Sequence, residues 1–152
     1  MKKLLLVTAA GALIAGAAGA EEIKMGISLG LTGPLESIAP PIQKGAELAM
    51  KEASESGKLL DGSTIVPVVA DNTCIDAAAS VAAVERLVTS EGVKGIMGGM
   101  CSGETIASLE KVGVPNGIVM ISPSATSPAL STLDDKGFFF RTSPSDARQG
   151  EV

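Results

Sequence analysis

The sequence predicts an α/β fold built on a doubly wound parallel sheet, and three observations carry that prediction. Short apolar runs of strand length alternate with segments of helical periodicity. Glycines, prolines and hydroxyls concentrate in the segments that follow those runs: "GLTGPLES", "DNTCID", "GGMCSGET" and "SPSATSP". Residues 21–152 are also enough chain for one modest core.

The first 20 residues stand apart. In "MKKLLLVTAAGALIAGAAGA" two lysines precede an apolar stretch, and Ala18-Gly19-Ala20 is a small-x-small cleavage site before Glu21. That is the pattern of a Sec-type signal peptide over residues 1–20, which implies export to the periplasm. The apolar run is shorter than the roughly 20 residues a spanning helix needs, and no cysteine follows it to carry a lipid, so no membrane span is expected.

Cleavage would remove Lys2 and Lys3, taking the formal charge from −5 to −7. Three phenylalanines are the only aromatics. Such a chain has neither the basic stripe nor the stacking platforms of a nucleic-acid binder. Histidine is absent, which removes the usual general base and the commonest metal ligand. No enzyme, metal or cofactor is expected.

Taken in order, "EIKMGISL" alternates Ile23, Met25, Ile27 and Leu29 and breaks at Gly30, Gly33 and Pro34, the signature of a strand ending in a loop. Pro40 and Pro41 suit the first turn of a helix. Ile42, Ala46, Ala49, Met50 and Ala53 continue it at helical spacing until Gly57, with Glu47 and Lys51 expected as an i,i+4 pair. "STIVPVVAD" is a second strand, placed at an edge because Pro67 cannot donate to a ladder. Asp76 caps a helix whose core stripe is Val81, Val84, Leu87 and Val88, closing at Gly92. "KGIMGG" is a third strand, Ser102 opens and caps a third helix through about Val112, "GIVMI" is a fourth strand and "FFFRT" a fifth. A sheet of this kind is expected to be covered on both faces and to bind ligands beyond the carboxyl ends of its strands.

Cys74 and Cys101 follow the second and third strands, at one edge of the sheet, and in an oxidising compartment the pair suggests a disulfide. The alternative, Cys101 as a nucleophile, would need a base that the sequence lacks. The glycines at 98, 99 and 103 fit neither the dinucleotide fingerprint nor the P-loop. They do lead into a helix start with the Ser102 hydroxyl beside it, a setting that attracts anions. In "SPSATSP" the prolines bias Ser122 and Ser127 toward extended backbone, so the hydroxyls sit on a stiff segment.

These motifs, with "LTGPLES" and the closing "FFFRTSPSDARQG", resemble the periplasmic binding proteins of branched-chain amino acid ABC transporters, the leucine/isoleucine/valine-binding type. The resemblance implies the Rossmann-like, type I periplasmic binding fold, with residues 21–152 as the first lobe of a two-lobed protein that closes on a free amino acid. It implies delivery of that ligand to an inner-membrane permease, with no chemistry of its own. Carried over, the ligand-binding residues are Ser102, Ser124, Ala125 and Thr126. Ser102 would hold the α-carboxylate with N–H groups near Ser124 and Thr126, and the Ser124 carbonyl with the Thr126 hydroxyl would hold the α-ammonium. Ile38 and Gly103 would line the cleft, the cysteines would be the family's disulfide loop, and Arg141, Asp146 and Gln149 would be structural.

Two departures stand out. The family runs to well over twice this length, so the chain reads as a fragment without the second lobe, and Ile38 stands where relatives present an aromatic or polar side chain. A sensor or receptor ectodomain, or an amide- or carboxylate-binding relative of the same fold, remains as an alternative.

Overall fold

The structure is a computed structural model that describes residues 19–151. The expected signal peptide, but for its last two residues, lies outside the described part. Five strands, β1 (Glu22–Leu29), β2 (Thr64–Asp71), β3 (Ile96–Gly98), β4 (Met120–Ser122) and β5 (Phe139–Arg141), form one sheet. Every pairing is parallel, in the order β2-β1-β3-β4-β5. The order reverses between β1 and β3, as a doubly wound sheet requires, and β2 takes the edge that Pro67 demands, with Pro67 opposite Met25.

Three helices, α1 (Ala39–Glu55), α2 (Ala77–Glu85) and α3 (Ser102–Ser108), make the crossovers. The last two each run on through a π-helical turn, Arg86–Ser90 and Leu109–Gly113. Asp76 caps α2 as expected, its Oδ1 accepting from the N–H groups of Ala78 (2.8 Å) and Ala79 (3.0 Å). The i,i+4 pair on α1 is different from the one expected. Lys51 reaches Glu55 at 3.7 Å, while Glu47 accepts from Gln43 Nε2 at 2.7 Å. The Lys51–Glu55 pair is exposed and of little weight, and the Gln43–Glu47 bond is half-buried.

The core has two parts, one on each face of the sheet. Val84, Leu87, Leu109, Val112, Met120 and Leu130 pack beneath α2 and α3. Ile27, Leu29, Ala39, Met50 and Cys74 pack beneath α1. Coverage of the second face is incomplete, contrary to expectation. Alone on that side among the described residues, α1 lies over β1 and β2, leaving Ile121 43 % and Phe140 54 % exposed. A cavity of about 310 Å3 opens beside it, lined by Met25, Met50, Met97 and Ile121 among others.

Candidate functional site

The carboxyl ends of all five strands meet at one edge, and the loops there are organised by buried and half-buried polar side chains. Asp71, the last residue of β2, gathers two of them. Its Oδ1 accepts from the N–H groups of Leu31 (3.0 Å), Thr32 (3.3 Å) and Thr73 (2.9 Å), and its Oδ2 accepts from the Thr32 hydroxyl at 2.5 Å. Burial pushes the Asp71 carboxyl up. The hydrogen bonds from Thr32, Thr73 and Leu31 together outweigh that and hold it below the ordinary 3.8.

Next to it Asn72 is fully buried, donating to Ser28 Oγ (3.2 Å) and accepting from the Cys74 N–H (3.0 Å). Cys74 is bonded to Cys101, with Cα atoms 5.3 Å apart, so the paired reading of the cysteines stands and the free-nucleophile reading falls.

Cys101, not Ser102, is the N-cap of α3, and Glu104 completes the cap by accepting from the Cys101 N–H at 3.1 Å. The expectation that Ser102 caps its own helix is corrected by that shift of one position. Glu104 is 3 % exposed and also accepts from Ser80 Oγ of α2 at 2.7 Å. Burial is the largest influence on it and holds its carboxyl above the ordinary 4.5, against the hydrogen bonds from Ser80, Cys101, Met100 and Thr105. The carboxylate fills the space beside Gly99 that any Cβ would need, and a Cβ on Gly98 (φ +143) would strike the Ser28 carbonyl. Glycine is thus required at Gly98, and at Gly99 any side chain would have to displace the Glu104 carboxyl.

Released from capping, the Ser102 hydroxyl turns to "SPSATSP" and accepts from the N–H groups of Thr126 (3.1 Å) and Ser127 (3.0 Å). Two further bonds stitch the same loops: Ser122 Oγ donates to the Gly99 carbonyl at 2.6 Å and Ser124 Oγ to the Met100 carbonyl at 2.9 Å. Ser122 Oγ also accepts from the N–H groups of Ser124 (3.3 Å) and Ala125 (2.9 Å), closing a tight turn. From β5, Arg141 donates to the carbonyls of Ala125 (3.3 Å) and Ser127 (3.0 Å) and to Ser131 Oγ. Asp146 accepts from the Thr126 hydroxyl at 2.8 Å, and its own N–H donates to the Thr126 carbonyl at 2.9 Å. Thr126 and Asp146, with Pro144, Ser145, Arg148 and Gln149, line a cavity of about 320 Å3.

The structure therefore brings Ser102, Ser124, Ala125 and Thr126 together. The N–H groups of Ser124, Ala125 and Thr126 have internal partners, whereas that of Ser102, in the first turn of α3, meets no acceptor among the described residues, and no donor there meets the Ser124 carbonyl. Ala125 is 1 % exposed, with its N–H held by Ser122 Oγ. Gly103 is exposed beside Ser102, whereas Ile38 stands at the start of α1 on the other side of the switch point, 49 % exposed. Asp71, Ser122 and Glu104 were missed as organising residues. Only Glu104 carried a readable signal, a glutamate three positions after Cys101.

Comparison with known proteins identifies the family and the fold. The family described as periplasmic binding protein matches residues 22–152. The Leu/Ile/Val-binding protein homolog 1 of Brucella abortus is 33 % identical over 156 residues, covering 100 % of this chain and 40 % of that protein. The leucine-, isoleucine-, valine-, threonine- and alanine-binding protein of Pseudomonas aeruginosa is 31 % identical over 133 residues, covering 88 % and 34 %. Among solved structures, the branched-chain amino acid transporter substrate-binding protein LivJ of Streptococcus pneumoniae, in complex with isoleucine, has a TM-score of 0.74 at 31 % identity. It is matched over 83 % of this chain and 35 % of its own. The chain thus spans about two fifths or less of the length of these relatives. A parallel sheet with its polar loops at one edge, matched to that family from β1 onward, leaves one conclusion: the chain belongs to the periplasmic binding protein family.

Proposed function

We propose that residues 21–152 are the first lobe of a periplasmic solute-binding protein of an ABC importer. In this reading residues 1–20 direct export, and the lobe binds the head group of a free branched-chain amino acid in a cleft between two lobes. The closed form delivers the ligand to an inner-membrane permease. The observation that carries the reading is the junction of Ser102 with Thr126, 3.1 Å from Oγ to N, where the loops after β3 and β4 meet next to the switch point. Ser102 would meet the α-carboxylate, and the Ser124 carbonyl and Thr126 hydroxyl the α-ammonium. The names of the relatives supply the aliphatic class. Ligand binding would shift an open–closed equilibrium through its preference for the closed form.

Calorimetry on the full-length mature protein with leucine, isoleucine and valine tests this. Binding at micromolar or tighter affinity is expected, and Thr126→Val should weaken it about tenfold or more while leaving the melting temperature within a few degrees. No binding of any amino acid at millimolar concentration would sink the proposal.

A further inference from the structure

The two hydroxyls at the junction have opposite hydrogen-bonding polarity, and the residues around them impose it. A hydroxyl offers one proton and two lone pairs. Ser102 Oγ already accepts from two N–H groups, those of Thr126 and Ser127, and among the described residues its proton goes to no acceptor. It is left as a donor. Thr126 Oγ1 donates to Asp146 Oδ2, and a carboxylate has no proton to return. Thr126 is left as an acceptor. The Asp146 N–H on the Thr126 carbonyl at 2.9 Å fixes the two residues against each other, so the direction of the hydroxyl bond is set on both sides. Among the described residues no basic side chain comes within ion-pair distance of Asp146, and Arg148 lines the same cavity without pairing with it.

We propose that Asp146 is a specificity-determining residue: by committing the Thr126 proton it makes the Ser102–Thr126 pair a donor beside an acceptor. Such a pair suits a carboxylate with a neighbouring protonated amine and disfavours a carboxylic acid that lacks the amine. This rests on the amino acid reading above and adds a role for a residue outside the ligand-binding set. Asp146 acts through Thr126 and is a positioning residue; it need not touch the ligand. The reason it works is asymmetric cost. An ammonium finds an acceptor that cannot turn away, whereas a ligand with only acceptors at that position leaves the Thr126 oxygen without a donor, a penalty larger than the gain from one neutral hydrogen bond.

The test is calorimetry on full-length protein with leucine and with 4-methylpentanoate, the same carbon skeleton without the amine. Wild-type protein is expected to prefer leucine, and Asp146→Ala should reduce the ratio of the two affinities about tenfold, through weaker leucine binding with 4-methylpentanoate unchanged or tighter. Asp146→Asn keeps an acceptor oxygen and should retain part of the preference. Because Asp146 is exposed, both variants should melt near the wild type. A ratio that does not change, whether both affinities fall together or neither moves, overturns the role of Asp146 and leaves the amino acid reading intact. Wild-type protein that binds no amino acid overturns the earlier reading and this one with it.

Discussion

The loops after β2 and β4 sit at the same edge of the same sheet and are held in opposite ways. Residues 71–76 carry a disulfide, a carboxylate that collects four hydrogen bonds and a fully buried asparagine. They also hold Thr73 and Cys74 at φ +58 and +70, left-handed backbone that costs about a kilocalorie or more per residue and needs firm surroundings. Residues 122–128 have no covalent tie. Hydroxyls, N–H groups, the Asp146 carboxylate and the Arg141 guanidinium position them. The contrast teaches that this edge is divided into a covalently fixed frame and a wall held by hydrogen bonds alone.

The frame should fail first and most expensively. Cys74→Ser with Cys101→Ser opens a loop of 27 residues and should lower the unfolding free energy by about 3–4 kcal/mol. Urea unfolding of the oxidised wild type against the double variant measures it. A midpoint that does not move would show that the hydrogen bonds of Asp71 and Asn72 hold the frame without the bond.

Next in size are the carboxylates, which predict opposite pH dependence. Glu104 has its folded value raised by burial, so its contribution is complete below the ordinary 4.5 and is lost as pH rises through the folded value. Asp71 is depressed on folding, so its contribution is present above 3.8 and is lost as pH falls through the folded value. Stability measured by urea across acid and mildly acid pH should lose its high-pH decline in Glu104→Gln and part of its acid decline in Asp71→Asn. Glu104→Ala should cost about 2 kcal/mol at neutral pH, because Ser80 and the Cys101 N–H lose a buried acceptor. If both variants changed the same limb, the assignment of the two environments would be wrong.

Much of this was legible in the sequence where one residue type has one use. Pro67 placed its strand at an edge, Asp76 capped its helix, and two cysteines in loops at the same edge of the sheet were paired. The failures share a physical cause. Glutamate, aspartate and serine have several uses, and which one applies is decided by tertiary neighbours. Serine commonly caps, but here Cys101 is the residue in extended backbone ahead of the helix and Glu104 takes its N–H, placing the cap one residue earlier than Ser102. Half coverage of one sheet face was also beyond the sequence, since periodicity gives each strand's buried side without saying which helix lies over it.

The smallest effect probes the wall itself. Arg141 reaches two carbonyls of the loop with one nitrogen and Ser131 with the other, a use of the planar guanidinium that a lysine ammonium cannot copy. Arg141→Lys keeps the charge and should cost about 1 kcal/mol, little enough that the sheet and the frame stay formed. Its effect should be local. Amide exchange at Thr126 and Ser127, which depends on the loop staying against Ser102, should speed up several-fold, while exchange at Leu31 and Thr32, held by Asp71, should not change. Equal acceleration at both places would mean that frame and wall open as one unit, and the division drawn between them would have to be abandoned.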